Sequence, residues 1–468
     1  MEEKHIFERL EGLLASVVSY SRLEVFVLPQ SGSNRKYYRM MTDVGSFIAT
    51  FTSDPVEGEC FVRLADAFGR AGRAVPKVFA VSKDSKFYLQ EDLGDRSLFS
   101  ELDSEYSHQY IKESLKGLVA LQKTPEKLWA DKCMSVPFCR RQAIWDLNYF
   151  KYEYLKPSEV IFDEDLLEDD FEKVTERLSE IPDEFQGFMM RDCQSRNVML
   201  TDHGPIFIDF QGGRKGPVLY DAVSFLWQAR AGFSSDFRMD MLDFYCDVFC
   251  DGDSGKKSRM LASLDDLVLF RTLQVLGAYG FRGLVQRKAH FLLSIPGALR
   301  NLRDFIEKGG LEMYPELKRC SESLIDSLDV PTMTDHDGLT VEVFSFSYKK
   351  GYPDDFSGNG GGFMFDCRAL HNPGRYARFK SLTGRDEAVK DFLEERGEIQ
   401  SFLKSAWSLT DAAVERYISR GFSKLQIGFG CTGGQHRSVY SAESTAEHIS
   451  ELFPEVNVRL VHREHPNP

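Results

Sequence analysis

Three oxygen-bearing side chains in the middle of the sequence have the types and the spacing that phosphoryl transfer requires. Asp192 precedes Asn197 by five residues in a polar loop, and Asp209 follows a short apolar run, Ile206–Ile208. Transfer to a hydroxyl needs a carboxylate that accepts the hydroxyl proton and hard oxygen ligands for Mg²⁺. We therefore expect Asp192 to be catalytic, and Asn197 and Asp209 to hold the metal. The alternative is that all three are ordinary turn residues, because Asp and Asn favour loops.

A second chemically capable segment follows the apolar run Leu425–Phe429 and precedes a predicted helix. Its glycine-rich turn exposes backbone N–H groups at the start of that helix, which is a favourable site for an anion. A guanidinium and an imidazole add donors and charge. The residues of this predicted anion site are Thr432, Gly433, Gly434, His436 and Arg437.

Two other interpretations of this segment stay open. It can be a tight strand-to-helix turn with a solvated arginine. The Cys-x5-Arg spacing of Cys431 and Arg437 is also typical of a phosphatase loop in which the cysteine is the nucleophile. No aspartate loop for a general acid accompanies it, which disfavours a phosphatase.

The elements that must position these residues differ along the chain. Short alternating apolar runs in the first hundred residues predict an antiparallel sheet, with one helix at Glu57–Arg70 between its strands. From about residue 104 to 325 the spacing of apolar residues is mostly helical. The predicted strands are Leu23–Leu28, Lys36–Met41, Ser46–Thr52 and Phe87–Gln90.

A polar, turn-prone stretch, Asp329–Gly338, marks the predicted boundary of a last domain. Strands and helices alternate after it, which predicts an α/β domain with a largely parallel sheet. The fold expected is therefore an α+β two-lobed kinase-like domain followed by an α/β domain. The predicted divisions are a sheet-rich lobe at 1–95, a helical lobe at 96–328 and the last domain at 338–468.

The segments around the first group, Met189–Leu200 and Ile206–Trp227, resemble the aminoglycoside-phosphotransferase-like kinases. The likeness is strongest to the branch that phosphorylates N-acetylmuramate and N-acetylglucosamine at the anomeric hydroxyl. The resemblance implies a two-lobed kinase fold, ATP and Mg²⁺ as cofactors, and an amino sugar of cell-wall recycling as the substrate. It also implies that Asp221 braces the catalytic loop and that the helix carrying Trp145, Asp146 and Tyr149 lines the acceptor pocket.

The same resemblance implies an ATP site built from three segments of the first lobe. The phosphate-covering loop, the helix carboxylate and the adenine-binding hinge correspond to Gly32, Ser33, Asn34 and Arg35, to Glu59, and to Gln90, Glu91 and Leu93. Two departures stand out. Met190 takes the place of the usual His, and the strand Ser46–Thr52 carries no lysine for the phosphates, so Arg35, Lys36 and Mg²⁺ are the candidates to supply that charge.

The chain from Val341 to His462 resembles the C-terminal domain of RapZ, an adaptor that senses glucosamine-6-phosphate and binds a small RNA. The runs Phe344–Pro353, Phe363–Pro373 and Gly430–Val439 carry this likeness. It implies a phosphosugar site formed by Asp366 together with the anion-site residues named above. The last residues, Val461–Pro468, lack the basic cluster used for RNA, which disfavours nucleic-acid binding.

Composition limits the remaining functions. A net charge of −14 disfavours a surface that grips nucleic acid or anionic lipid, although a local basic patch is allowed. No apolar run is long enough to span a membrane, and Met1–Arg9 has no apolar signal region, so we expect a cytoplasmic protein. The expected partners are an amino sugar and a sugar phosphate, with room for a homo-oligomer. The alternative to a sugar kinase is a non-catalytic adaptor with a degenerate kinase half, whose last domain binds RNA or a protein.

Overall fold

A computed structural model of the chain describes residues 2–28, 35–132, 136–286, 288–326, 339–353, 362–420 and 422–464. The chain forms two compact units. Unit 1 comprises Met1–Phe281 and Ser294–Ser327, and unit 2 comprises Arg282–Leu293 and Leu328–Pro468. No helix among the described residues is long and apolar enough to cross a membrane.

Unit 1 begins with a five-stranded antiparallel sheet of order β1-β2-β3-β5-β4. Helix α1 packs the buried Ile6, Leu10 and Leu14 into the same core as this sheet. Helix α2 begins where the Asp54 side chain accepts a hydrogen bond from Val56 N–H, the favoured geometry of an N-cap. The elements are α1 (Glu2–Ala15), β1 (Leu23–Val27), β2 (Lys36–Thr42), β3 (Gly45–Phe51), α2 (Pro55–Arg70), β4 (Val78–Val81) and β5 (Phe87–Glu91).

The rest of unit 1 is mostly helical and carries two short antiparallel ribbons, which pair β6 with β9 and β7 with β8. Helix α6 is buried along its whole length, and α4 packs against α9. The elements are α3 (Ser107–Gln122), α4 (Arg140–Phe150), α5 (Glu164–Ser179), β6 (Gln186–Met189), β7 (Val198–Thr201), β8 (Gly204–Phe207), β9 (Arg214–Pro217), α6 (Val218–Leu226), α7 (Ser235–Phe249), α8 (Ser254–Leu261), α9 (Leu264–Tyr279), α11 (Ile295–Glu307) and α12 (Pro315–Asp326), while α10 (Ala289–Leu292) belongs to unit 2.

The sheet of unit 2 has four parallel strands in the order β11-β12-β10-β13. Its two central strands are almost fully buried, as expected when helices cover a parallel sheet. The elements are α10 (Ala289–Leu292), β10 (Thr340–Ser347), β11 (Phe363–Asp366), α13 (Glu387–Glu394), α14 (Glu398–Ser419), β12 (Lys424–Cys431), α15 (Arg437–Leu452) and β13 (Asn457–His462).

The predicted fold class is confirmed: an antiparallel sheet and a helical lobe are followed by a domain with a parallel sheet. The exact domain limits stay a prediction. The sequence missed α1 and β4. Helices α4 and α9 each continue into a π-helical turn, at Lys151–Leu155 and Gly280–Val285.

Candidate functional site

A buried carboxylate, that of Asp221, holds the loop that carries Asp192. Asp221, in the first turn of α6, accepts hydrogen bonds from the backbone N–H groups of Met190 (2.7 Å) and Arg191 (2.9 Å). Burial raises the pKa of Asp221 to about 7, although these hydrogen bonds oppose the shift. Met190 itself is fully buried, so the residue in the usual histidine position packs in the core.

Two hydrogen bonds to backbone carbonyls connect Asp192, Asn197 and the residue that precedes Asp209. The Asn197 side-chain amide donates to the Asp192 carbonyl over 2.8 Å, and Ile208 N–H, next to Asp209, donates to the Asn197 carbonyl over 2.9 Å. The Asp192 carboxylate is 56% exposed, and Arg271 Nη1 lies 3.3 Å from its Oδ1. The structure therefore places Asp192, Asn197 and Asp209 together, with Asp192 open to an incoming group.

Asp209 is the most constrained of the three. Its φ is +64°, a conformation that non-glycine residues seldom adopt, and the next residue, Phe210, stacks on Phe61 of α2 at 5.0 Å. The Asp209 carboxylate accepts hydrogen bonds from Arg35 and from Gln211 Nε2 (3.0 Å). Burial alone would raise the pKa of Asp209, but Arg35 and these hydrogen bonds outweigh it and hold the pKa below its usual value.

Arg35, the last residue of the predicted phosphate-covering loop, contacts residues of both lobes. Its guanidinium, only 6% exposed, forms ion pairs with Asp209 and with Glu57 of α2, at 3.3 Å from the latter. Burial alone would lower the pKa of Arg35, but the Asp209 carboxylate, with Tyr37 and Tyr88 nearby, raises it, so the side chain stays charged. This arginine supplies, from the start of β2, a positive charge that β3 does not carry.

Glu59, the predicted helix carboxylate, is not the one that pairs with Arg35, and its role at the nucleotide stays a prediction. Glu59 is exposed and pairs with Arg63 on its own helix, at 3.2 Å. Glu57 faces Arg35 instead, because two residues along an α-helix differ by about 200° in direction. Spacing alone did not distinguish the two carboxylates.

Part of the predicted nucleotide site can be located. Gln90 and Glu91 end β5, with Leu93 in the following turn. Glu91 N–H already donates to the Lys77 carbonyl over 2.9 Å, so it is not free for adenine. The other predicted residues, Gly32, Ser33 and Asn34, lie outside the described residues, and their role stays a prediction.

The donor set at Asn197 and Asp209 fits a magnesium ion. One amide oxygen and one carboxylate are the hard ligands that Mg²⁺ prefers, and such sites complete their shell with water and substrate phosphate. The hydrogen bond from Asn197 Nδ2 to the Asp192 carbonyl fixes which face of the amide carries the nitrogen. No group of three or more His, Cys, Asp or Glu side chains within the described ranges forms a self-sufficient metal cage.

Two contacts around the loop that carries Asp192 were not predicted. Arg271, on α9, is buried and also donates to Tyr220 (3.1 Å) and Gln274 (2.7 Å), which fixes the guanidinium that lies beside Asp192. Arg191 Nη2 donates to both carboxylate oxygens of Asp146, on α4, at 2.7 and 2.8 Å. Burial raises the pKa of Asp146, an effect that Arg191 opposes. Arg271 lies in an apolar helical stretch, and a cation in such a position was the signal that sequence reasoning overlooked.

In unit 2, the predicted anion site lies where β12 ends and α15 begins. Arg437 is 4% exposed, and its Nη1 donates to the carbonyls of Arg368 (2.8 Å) and Leu370 (2.9 Å). His436 is buried, and its Nε2 lies 2.8 Å from the Phe379 carbonyl. These two side chains hold neighbouring loops around the turn, so their donors are already bonded within the domain.

The other predicted residues border the same turn. The Thr432 carbonyl accepts from Ser347 Oγ over 2.9 Å, and Gly434 has φ +68°, a left-handed conformation suited to glycine. Asp366 ends β11 and pairs with Arg368 at 2.7 Å, which lowers the pKa of the carboxylate. A Cβ on Gly433 would meet nothing within 4 Å, so the turn is open there.

The geometry argues against Cys431 as a phosphatase nucleophile. Its thiol is 3% exposed, with Ser438 Oγ at 3.1 Å, and the arginine such a reaction needs is bonded to carbonyls. Burial would raise the pKa of the Cys431 thiol, but hydrogen bonds from Ser438 and Gln435 hold it below its usual value. The thiolate is thus favoured in a position that substrate does not reach.

Comparison with known proteins agrees with this two-part organisation. Residues 27–257 match the phosphotransferase enzyme family, and residues 339–466 match the RapZ C-terminal domain. The chain therefore carries a phosphotransferase-family domain fused to a RapZ C-terminal domain. The closer assignment to the N-acetylmuramate and N-acetylglucosamine branch stays a prediction.

Curated relatives are described as nucleotide-binding proteins. One from Xanthomonas euvesicatoria is 40% identical over 130 residues, which cover 28% of this chain and 44% of the relative. One from Stenotrophomonas maltophilia is 33% identical over 184 residues, which cover 37% of this chain and 58% of the relative. The chain thus spans about half the length of the curated relatives it matches.

Solved structures resemble the chain at low sequence identity. An ethanolamine kinase of Plasmodium vivax is 14% identical with a TM-score of 0.48, covering 62% of this chain and 84% of its own. A choline kinase of Cryptosporidium parvum is 12% identical with a TM-score of 0.46, covering 67% and 99%.

Proposed function

We propose that the chain is an ATP- and Mg²⁺-dependent phosphotransferase that acts on a hydroxyl group of an amino sugar of the N-acetylmuramate or N-acetylglucosamine type. The observation that carries the proposal is the convergence of Asp192, Asn197 and Asp209 through hydrogen bonds. Membership of residues 27–257 in the phosphotransferase family supports the reaction class. The amino sugar rests on the sequence resemblance alone.

In this proposal each residue has a separate task. Asp192 accepts the proton of the acceptor hydroxyl, and Arg271 keeps the carboxylate oriented. Asn197 and Asp209 would hold Mg²⁺, which neutralises charge on the phosphates. Arg35 faces the same phosphates from the start of β2, in place of the lysine that β3 lacks.

For unit 2 we propose a phosphosugar-binding role. The turn Thr432–Gly434 offers backbone N–H groups before α15, and the partial positive charge of the helix end favours an anion there. The match of residues 339–466 to the RapZ C-terminal domain supports this assignment. Fusion to a kinase domain suggests that unit 2 senses a substrate or product of the same metabolite class.

A specific contact favours the alternative, a non-catalytic adaptor. Arg35 already forms an ion pair with Asp209, the carboxylate that the metal requires. If this pair persists with nucleotide present, Asp209 is not available as a ligand, and the kinase half only binds a ligand.

Phosphate transfer from γ-labelled ATP to N-acetylmuramate and N-acetylglucosamine separates the two functions. We expect Mg²⁺-dependent product from the wild-type chain and none from Asp192→Asn. Absence of transfer to any sugar in a broad panel, with ATP–Mg²⁺ still bound, would establish the adaptor instead. For unit 2, a thermal-shift titration with glucosamine-6-phosphate and with inorganic phosphate, on wild type and Gly433→Asp, tests the anion site.

A further inference from the structure

The surroundings of Asp192 are basic although the chain as a whole is acidic. Three arginines from different segments, Arg196, Arg230 and Arg271, carry charges that reach the hydroxyl of Tyr279 at the end of α9, and they are called the arginine cluster below. Burial raises the pKa of Tyr279, and the charges of all three arginines act in the opposite direction. The negative charge of Asp192 also reaches this hydroxyl, and it raises the pKa of Tyr279.

Hydrogen bonds hold the segments that carry the cluster. Arg196 lies on the turn between Asp192 and Asn197, and the preceding Ser195 donates its backbone N–H (3.2 Å) and its hydroxyl (2.7 Å) to the Gln228 side chain. This bond places the catalytic turn beside the segment that continues to Arg230. That segment is fixed in turn by α11, because a Cβ on Gly297 would collide with the Ala229 carbonyl.

The arginines of the cluster differ in how far other protein groups already bond to their guanidinium groups. Arg271 is 5% exposed and bonded on several sides. Arg196 and Arg230 are exposed, and neither forms an ion pair with a residue that the structure describes. The carboxylates nearby are committed elsewhere, since Asp146 pairs with Arg191 and Asp209 pairs with Arg35.

Uncompensated guanidinium groups beside a catalytic carboxylate select the charge of the molecule that binds there. Guanidinium binds carboxylate and phosphate through paired hydrogen bonds, and like charges placed across a binding surface are rejected. Of the two exposed arginines, Arg196 directly precedes Asn197 in the turn that follows Asp192, and Arg230 lies two residues beyond Gln228, whose side chain bonds to that turn.

We propose that the acceptor alcohol carries a carboxylate or phosphate group, which Arg196 and Arg230 bind while its hydroxyl lies against Asp192. This inference rests on the proposed kinase function and adds the charge of its substrate. A polycationic or quaternary-ammonium alcohol is then a poor acceptor, because the arginine cluster would repel it.

The test compares acceptors that share one sugar and differ in an anionic substituent. N-acetylmuramate carries a carboxylate and N-acetylglucosamine 6-phosphate a phosphate, and N-acetylglucosamine is the neutral reference for both. We expect kcat/KM for at least one anionic acceptor to exceed that of the neutral sugar by roughly tenfold or more. In Arg230→Gln this ratio should fall to near one, whereas Arg70→Gln, an exposed arginine at the end of α2, should keep it. The acceptor that shows the advantage identifies the anion.

Equal rates for neutral and anionic acceptors, or an unchanged ratio in Arg230→Gln, overturn the inference while the kinase function stands. Loss of all phosphoryl transfer contradicts the kinase function. In that case thermal shift with the same three sugars still decides the inference. Stabilisation by anionic sugars only, lost in Arg230→Gln, supports it, and stabilisation independent of charge refutes it.

Discussion

The guanidinium of Arg35 forms an ion pair with the carboxylate of Asp209, 174 residues further along the chain. The same guanidinium contacts Glu57, so one cation connects β2, α2 and the strand end that carries Asp209. Removing it would leave two partly buried carboxylates facing each other without a counter-charge.

Replacement of Arg35 tests its role in phosphate binding. In Arg35→Gln we expect kcat/KM for ATP to fall on the order of 10²-fold, because a preorganised charge on the phosphates is lost. Arg35→Lys should recover part of this loss, because it keeps the charge without the second hydrogen-bonding arm. Steady-state kinetics at varied ATP measure both. If Arg35→Gln turns over at the wild-type rate, Arg35 serves only to pair with Glu57 and Asp209.

Replacement of Asp192 tests the predicted proton acceptor. Asp192→Asn should lower kcat by about 10²–10⁴-fold, because general-base catalysis is lost. The affinity for ATP–Mg²⁺ should change little, because Asn197 keeps the Asp192 carbonyl as its partner. Single-turnover rates and nucleotide titrations separate the two effects. A parallel loss of nucleotide affinity would instead place Asp192 at the metal.

The buried carboxylate of Asp221 predicts a pH dependence of stability. Its pKa is raised to about 7 in the folded chain, against about 3.9 in an unfolded chain. Between these values the folded chain holds a proton that the unfolded chain releases. Stability therefore falls as pH rises from about 4 to about 7, by at most about 1.4 kcal/mol per pH unit, and levels off above.

Asp221→Asn removes this titration and supplies the control. Calorimetric melting temperatures at pH 5, 6, 7 and 8 should show wild type losing stability relative to the variant up to about pH 7, with a constant difference above. A difference that does not change with pH means that Asp221 is ionised throughout that range.

Gly277 lies where the packing of α9 against α4 leaves no space for a side chain. A Cβ there would lie 2.8 Å from Phe150 N on α4, so Gly277→Val should destabilise unit 1 by about 3 kcal/mol or more. The matched control is Gly69→Ala on α2, where a Cβ would meet nothing within 4 Å; it should stabilise by roughly 0.5–1 kcal/mol. Urea unfolding measures both. Equal stability of Gly277→Val and wild type would show that α4 and α9 can separate.

The sequence predicted the local chemistry better than the long-range contacts. Asp192, Asn197 and Asp209 were identified because a loop, a turn and a strand end follow one another within eighteen residues, so local structure brings them together. The Arg35–Glu57 pair depends on how α2 lies against the sheet, and the choice between Glu57 and Glu59 follows from that helix's rotation. Composition and spacing carry no information on that rotation.

Burial also decided what the sequence left open in unit 2. Arg437 has the spacing of an anion ligand, but its guanidinium donates to two carbonyls inside the domain.

The same holds in unit 1 for the helix that carries Trp145 and Asp146. Trp145 is exposed and Asp146 pairs with Arg191, a difference that only the structure shows. Whether a polar side chain bonds within the protein or stays available for a ligand depends on neighbours far away in sequence.

Gly277 and Gly280 bring the end of α9 against α4 and its π-helical extension with no space for a side chain. Because the two backbones touch, the helices cannot approach each other further, and any larger side chain at either glycine must push them apart. Arg271 lies on the same helix as Gly277, so such a change would also move the guanidinium that lies beside Asp192. Variation at these two glycines would therefore alter the acceptor region indirectly, through the spacing of two helices.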